Sequence, residues 1–135
     1  MPLAQPIFEP NPAAPSCHAA TIVEAVPGVF LAAWFAGTHE GHPDVGIWLA
    51  RCEGGAWRAP AKVADEPGVS HYNPVLFRDP KSVLWLFYKI GLSVPTWTGM
   101  YRTSADGGHT WTTPAMLPAG LIGPAKNKPI ALRNG

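Results

Sequence analysis

The feature that most constrains this chain is an internal repeat with a spacing of 53 residues. Three pairs of segments carry it: residues 22–23 with 75–76, residues 30–35 with 83–88, and residues 46–48 with 99–101. A third copy begins where Pro129-Ile130-Ala131 repeats Pro74-Val75-Leu76. A period of about 40–50 residues built from short strands is typical of the blades of a β-propeller. We therefore predict an all-β chain of repeated, four-stranded antiparallel units.

Within each unit the apolar runs are short, rich in β-branched and aromatic residues, and bounded by turn-forming residues, which favours strands over helices. In the first unit we expect strands near residues 19–25, 29–35, 44–51 and 56–60. In the second unit we expect them near residues 73–78, 82–89, 98–104 and 109–113.

The repeat also predicts how the chain is divided. An extended, proline-rich lead-in is expected at residues 1–16, followed by an incomplete propeller domain at residues 17–135. Blade one is expected at about 17–65, blade two at about 71–118, and the start of blade three at 126–135. Because propellers have about 4–8 blades, we expect an N-terminal part of a longer protein. The chain stops at Asn134-Gly135, a favoured hairpin turn whose returning strand is missing.

Charge and composition exclude several classes of function. A formal net charge of +1 provides no strong field for nucleic acid or a membrane surface, so neither is expected as a partner. No signal peptide or transmembrane run is recognisable, and we expect a soluble chain of unknown location. Cys17 and Cys52 are too few for a disulfide framework and are expected to be free thiols. The run His39-Glu40-Gly41-His42 lacks the helical zinc spacing, so we expect no metal and no other cofactor.

The segment from Ser104 to Trp111 predicts a self-contained turn. Its Asp106 carboxylate can accept backbone N–H groups while a glycine adopts positive φ, and Thr110-Trp111 then begins the next strand. We assign a structural role to five residues of this turn: Ser104, Asp106, Gly108, Thr110 and Trp111. The counterpart in the first unit, residues 52–57, has no aspartate but keeps the glycine pair and the tryptophan.

Polar residues are expected to collect at the opposite edge of the blades. In an antiparallel meander the start of strand one lies beside the end of strand two and the start of strand three. In a closed propeller this edge surrounds the axis and forms a pocket. The candidate residues at this edge are His18, His39, Glu40, Asp44, Asn73, Lys89, Trp97, Lys126, Asn127 and Lys128.

The segment from Ser104 to Trp111 resembles the Asp-box of sialidases and their bacterial-neuraminidase-repeat (BNR) relatives. Further segments are similar to a sialidase-like branch of that superfamily: residues 17–24, 33–41, 43–48, 73–77 and 123–130. The resemblance implies a six-bladed propeller, an arginine triad that holds the carboxylate of sialic acid, an aspartate acid/base, and a tyrosine nucleophile with its glutamate. Asp44 matches the place of the acid/base. The place of the first arginine is taken by His18-Ala19-Ala20, and a neutral imidazole cannot make the bidentate contact of a guanidinium.

The two candidate catalytic residues each have a structural alternative. Asp44 is either a general acid/base, which needs a raised pKa, or an aspartate that caps the turn formed by residues 42–44. His18 is either a core residue, a hydrogen-bond donor to substrate, or a general base. A histidine base beside a tyrosine acid would suit β-elimination from a uronic acid sugar.

The predicted function is therefore that of a sialidase-like carbohydrate-active protein, an exo-acting glycoside hydrolase on an acidic sugar. Asp44 is the expected acid/base, and substrate is expected to contact His39, Glu40, Asn73, Lys89, Trp97, Lys126, Asn127 and Lys128. Two alternatives stay open: a propeller polysaccharide lyase, and a non-catalytic propeller that binds glycans or proteins. We expect the 135-residue chain alone to be inactive.

Overall fold

A computed structural model of the chain describes residues 5–9 and 14–133. These residues form nine strands and a single 3₁₀ turn at Val94–Thr96, so the prediction of an all-β chain with antiparallel sheets is confirmed. The predicted end of the chain at Asn134-Gly135 lies outside the described residues. Among the described residues, no helix has the length and apolar character needed to cross a membrane.

The first sheet is an antiparallel meander. Its strands are β1 (Ser16–Val26), β2 (Val29–Gly37), β3 (Gly46–Glu53), β4 (Ala56–Trp57) and β5 (Ala61–Ala64). Both β4 and β5 pair with β3, so the predicted outer strand is divided into two pieces. The break falls at Pro60, which has no N–H to donate to the ladder.

The second sheet repeats this meander. Its strands are β6 (His71–Arg78), β7 (Leu84–Ile90), β8 (Thr98–Ser104) and β9 (Ala115–Met116). The prediction of an outer strand at residues 109–113 was wrong, because β9 begins only at Ala115. One backbone bond ties this segment to β8, from Thr112 N–H to Thr103 O at 2.9 Å, and side chains add to it: Thr112 Oγ1 accepts the Thr103 N–H at 2.9 Å, and Arg102 Nε donates to Thr112 O at 2.6 Å.

The main core lies between the two sheets. Its fully buried side chains on the strands are contributed chiefly by β2 and β3 of the first sheet and by β6 and β7 of the second: Leu31, Ala33, Phe35, Ile47, Leu76, Leu84, Leu86 and Tyr88. A smaller cluster covers the opposite face of the first sheet, where Phe8 stacks on Trp34 with ring centroids 5.0 Å apart. The described part of the predicted lead-in thus packs on β2.

The structure confirms a repeat but corrects its register. The first strand of each sheet has a β-bulge, where two of its residues lie opposite one residue of the second strand. That single residue is Trp34 in the first sheet and Tyr88 in the second. Matching these bulges gives a spacing of 54 residues for the first two strands, and the third strands then match Trp48 to Met100, a spacing of 52. Because alternate side chains point to opposite faces, the sequence-based spacing of 53 matched residues on opposite faces of the two sheets.

The Ser104–Trp111 segment is a hydrogen-bonded turn between β8 and β9. Asp106 Oδ1 accepts the N–H groups of His109 and Thr110 at 3.0 and 2.9 Å, and Oδ2 accepts the Thr110 hydroxyl at 2.5 Å. Gly108 has φ of +88°, and a Cβ atom there would overlap Leu31 Cδ1 of the neighbouring sheet. The turn therefore connects β8 to β9 in the second sheet and also packs against the first sheet.

The predicted start of a third unit is not a strand here. Residues 117–133 contain turns and bends but make no ladder with another strand. A strand needs a partner to pair its backbone groups, and the described residues provide none for this segment, so the start of a third blade at 126–135 stays a prediction.

Candidate functional site

One edge of the two sheets gathers the candidate residues. The register pairs Ser16 with Gly37 and His71 with Ile90, so the starts of β1 and β6 lie beside the ends of β2 and β7. The starts of β3 and β8 join the same edge. The Asp106 turn follows the end of β8 and lies at the other edge.

The bulges of β1 and β6 frame a cavity at this edge. Ala19 and Asn73, the first residues of the two bulges, both have positive φ, +52° and +44°. Left-handed backbone costs an alanine roughly 1–2 kcal/mol and is often retained where a site needs it. A cavity of about 320 Å³ is lined by Ala19, Ala20, Asn73, Pro74, Ala125 and Lys126. Asn73 and Lys126 thus line the same cavity.

Lys89 lies behind the wall of this cavity. Its side chain is fully buried, and Nζ donates to Asn73 O at 3.4 Å and to Pro124 O. Burial lowers the pKa of this ammonium to about 8. The structure therefore places a cation close to the cavity but does not expose it there.

The three predicted site residues of the last segment, Lys126, Asn127 and Lys128, do not share one cavity. Lys128 Nζ donates to Ile22 O, which ties this segment across to β1. Asn127 is exposed, as is Lys126. Only Lys126 of these three lines the cavity.

Asp44 is held by the end of β2. Its Oδ1 accepts the Thr38 N–H at 3.0 Å, and its Oδ2 accepts the Thr38 hydroxyl at 2.6 Å. His42 Nδ1 lies 2.8 Å from Oδ1, with both side chains 41% exposed. The Thr38 hydrogen bonds and the neighbouring imidazole lower the pKa of Asp44 to about 2, so the carboxyl is ionised at neutral pH.

The loop before Asp44 is folded on itself. His42 N–H donates to His39 O at 3.0 Å, and the His39 and His42 rings meet edge to face with centroids 5.1 Å apart. His39 Nδ1 lies 3.0 Å from Glu40 O. Neither these residues nor Asp44 line the cavity between the bulges. No cluster of three metal-ligating side chains occurs in residues 5–9 and 14–133.

His18 lies on the other side of the β1 bulge. Its ring stacks on Phe35 at 5.2 Å, and Nε2 lies 2.8 Å from Ser16 Oγ. It lines a second cavity, of about 280 Å³, together with Ile7, Phe8, Cys17, Ala19, Ala20 and Trp34. Ala19 and Ala20 therefore separate His18 from Asn73 and Lys126.

Trp97 packs on the second sheet. Its ring lies 5.0 Å from that of Tyr72, and its Nε1 is buried with no hydrogen-bond partner among the described residues. It lines a third cavity, of about 370 Å³, with the apolar segment 116–122. The predicted stacking surface thus faces a cavity separate from the one at Asn73.

The sequence analysis missed a buried network next to this edge. Glu66 Oε1 accepts the Tyr88 hydroxyl at 2.7 Å, and Oε2 contacts His71 Nε2. Burial and the contact with Glu66 raise the pKa of Tyr88 well above its usual range. Burial acts to raise the pKa of Glu66, but hydrogen bonds from His71 and Tyr88 outweigh it and leave that pKa lowered. No sequence spacing links these residues, since Glu66 belongs to the connection between the sheets.

Comparison with solved structures identifies the same fold in larger proteins. Hadza microbial sialidase Hz136 matches with a TM-score of 0.64 at 13% identity, over 77% of this chain and 26% of that one. A protein of unknown function from Dyadobacter fermentans DSM 18053 matches with a TM-score of 0.64 at 15% identity, over 78% of this chain and 37% of that one. The chain thus spans well under half of each structure. No curated protein matches it.

These matches confirm the predicted similarity to the sialidase propeller fold, and the two open sheets are consistent with part of such a propeller. The BNR repeat-like domain family matches residues 28–135, which is most of the chain. The protein belongs to the BNR repeat-like domain family and is sialidase-like.

Proposed function

We propose that this chain forms part of the acidic-sugar site of a sialidase-like exo-acting glycoside hydrolase. The cavity between the two bulges carries the proposal, because its wall includes Asn73 and Lys126 while the ammonium of Lys89 lies behind it. Among the described residues that line this cavity, none is acidic. A carboxylate-bearing sugar would complement such a surface better than a neutral one.

Lys89 gives this preference a physical basis. Its charged form is desolvated and meets two carbonyl oxygens, with no carboxylate among its hydrogen-bond partners in the described chain. An anion in the neighbouring cavity would stabilise the ammonium and raise its pKa from about 8. The free energy of that interaction would be gained by acidic sugars alone.

Binding of free sugars to the 135-residue chain tests the site. We expect N-acetylneuraminic acid and glucuronic acid to shift the backbone NMR signals of Asn73 and Lys126 saturably, and galactose to leave them unchanged. Lys126→Ala should weaken acidic-sugar binding by roughly tenfold. Lys81→Ala is the matched control, because Lys81 lies in the β6–β7 turn at the other edge. Equal binding of galactose, or equal loss in both variants, would refute the site.

The hydrolytic step is assigned to Asp44. As a carboxylate it can act as a base, and it becomes a general acid only if its pKa rises when the sugar and the surrounding protein exclude water. Asp44→Asn in the full-length protein should abolish release of 4-methylumbelliferone from its sialoside while lowering Tm only slightly, because the Asp44 side chain is 41% exposed. An equal loss of activity and Tm would support a structural aspartate instead, and an unsaturated product absorbing in the ultraviolet would identify a lyase.

A non-catalytic binding role is the second candidate. It is favoured by the low pKa of Asp44, about 2, since a carboxyl ionised at neutral pH does not protonate a leaving group. This role predicts acidic-sugar binding by the full-length protein without turnover. The isolated 135-residue chain is expected to be inactive under either proposal, and turnover by it would contradict that expectation.

A further inference from the structure

The buried network beside the candidate site joins two neighbouring strands of the second sheet to the connection that precedes them. His71 begins β6, Tyr88 belongs to β7, and both side chains are fully buried. Glu66 bridges them, with one carboxylate oxygen on the Tyr88 hydroxyl and the other on His71 Nε2. The imidazole is therefore held in one orientation.

The same imidazole holds the residue that follows Asp44. The His71 backbone N–H donates to Val45 O at 3.1 Å, and His71 Nδ1 lies 2.7 Å from the same oxygen. Since a carbonyl oxygen can only accept, Nδ1 carries a proton and donates it. Val45 is itself buried and immediately precedes β3. Two donors from the second sheet thus fix a peptide group of the first.

The Asp44-Val45 segment is also in close contact with Gly37. A Cβ atom at Gly37 would lie 2.5 Å from Asp44 Oδ1 and 2.9 Å from Val45 Cα. Neither distance is tolerated by a real Cβ atom, so this segment is pressed against the end of β2. The segment therefore cannot move closer to Gly37, and His71 holds Val45 O by two hydrogen bonds.

We propose that His71 is a positioning residue for the Asp44 carboxylate. Oriented by Glu66 and Tyr88, it anchors Val45 O and thereby keeps Asp44 within reach of both donors of Thr38. The role of this geometry in sugar chemistry rests on the proposed function. The geometry itself is testable without any sugar.

Two substitutions test the contacts of Nδ1 and Nε2 of His71 separately. In His71→Asn the amide nitrogen takes the place of Nδ1, so the side chain still donates to Val45 O but no longer reaches Glu66. In His71→Gln the amide group reaches toward Glu66 and gives up the bond to Val45. Both variants lose similar burial and are expected to lower Tm to a similar extent.

The measurement is the pKa of Asp44 in the 135-residue chain, followed through its ¹³C carboxyl signal. We expect His71→Gln to raise that pKa by about one unit from its low value, because the bonds to Thr38 lengthen when Val45 is released. We expect His71→Asn to leave it nearly unchanged. A purely structural role for His71 would lower Tm in both variants without moving the titration of Asp44.

Three results would overturn the proposal: an unchanged pKa in His71→Gln, an equal rise in both variants, or a rise in His71→Asn alone. Should both variants fail to fold, Tyr88→Phe decides, since it removes only the hydroxyl that orients Glu66. A rise of a few tenths of a unit in the pKa of Asp44 is then expected, and no change contradicts positioning. Failure of the wild-type chain to bind acidic sugars would refute the proposed function and leave this result standing.

Discussion

Asp44 and Asp106 have nearly the same local chemistry at opposite edges of the molecule. Each is bonded by one threonine, Thr38 or Thr110, whose backbone N–H and hydroxyl both donate to the carboxylate. Hydrogen bonding lowers the pKa of both carboxyls. A low pKa therefore does not by itself separate an aspartate of a turn from an aspartate of a candidate site.

The two aspartates differ in where their partners come from. The donors to Asp106 lie within four residues of it, so the turn is complete in itself. Asp44 is bonded across the gap between β2 and β3, and its neighbour Val45 is anchored by the second sheet. The environment of Asp44 therefore depends on tertiary packing, which a ligand or another part of the protein can alter. This is the property that a functional carboxylate needs.

The largest expected effect is on the Asp106 turn. Gly108→Ala should lower the free energy of unfolding by about 2–4 kcal/mol, because its Cβ overlaps Leu31 and its φ is positive. Gly107→Ala is the matched control, since Gly107 has φ of +70° but its Cβ would meet Val26 only at 3.4 Å. It should cost about 1 kcal/mol. Chemical denaturation measures both, and equal losses would show that packing on Leu31 is unimportant.

A smaller loss is expected at the end of β2. Gly37→Ala should cost about 1–3 kcal/mol, because its Cβ displaces Asp44 and Val45. The same displacement should raise the pKa of Asp44, measured by ¹³C NMR, while the titration of Asp106 stays unchanged. Movement of both titrations would show that the two edges are not independent.

Removing the Asp106 carboxylate should matter more than removing that of Asp44. Asp106→Asn takes away the acceptor shared by Ser104, His109 and Thr110, whereas the hydrogen bonds to the Asp44 carboxylate come from Thr38. Thermal unfolding at neutral pH should therefore give a clearly lower Tm for Asp106→Asn than for Asp44→Asn. The reverse order would mean that Asp44 is the more important structural residue.

The smallest effect is the pH dependence of Asp44. Since its folded pKa of about 2 lies below the ordinary value near 4, its stabilising contribution is present above pH 4 and is lost as the pH falls toward 2. The Tm difference between wild type and Asp44→Asn should shrink over that interval. A difference that persists at pH 2 would contradict the assigned pKa.

The fold could be predicted largely because local patterns recur. The paired glycines, the aspartate and the tryptophan of residues 104–111 determine a turn by local hydrogen bonds, and the apolar runs define strands on both sides of it. The register could not be predicted, because the step from β2 to β3 is 14 residues (Trp34 to Trp48) whereas that from β7 to β8 is 12 (Tyr88 to Met100), so no single spacing fits all three strands. A one-residue error then reverses the face of every residue along the strand.

The sequence could predict only the edge of the sheets at which the candidate site lies. Antiparallel pairing brings Asn73 to this edge, and the segment after β9, which forms no strand, brings Lys126 to the same cavity. Strand pairing does not predict which lysines remain exposed to solvent. Lys89 is buried because the segment around Pro124 covers it, a contact 35 residues away. The network of Glu66, His71 and Tyr88 depends on the pairing of β6 with β7 and on the fold of the connection before them, which no short motif predicts. The bonds from Thr38 that lower the pKa of Asp44 join residues six apart in the loop between β2 and β3, and no short motif of that loop predicts them.

The β3–β4 hairpin has a practical consequence. Gly54 and Gly55 have φ of +60° and +80°, and Cβ atoms at these positions would meet nothing within 4 Å. No aspartate organises this hairpin, and it lies at the edge away from Asp44 and Asn73. A fluorophore or an epitope inserted between these glycines would report on the chain without disturbing the candidate site. The hairpin is therefore the preferred attachment point for a reporter in the sugar-binding experiments.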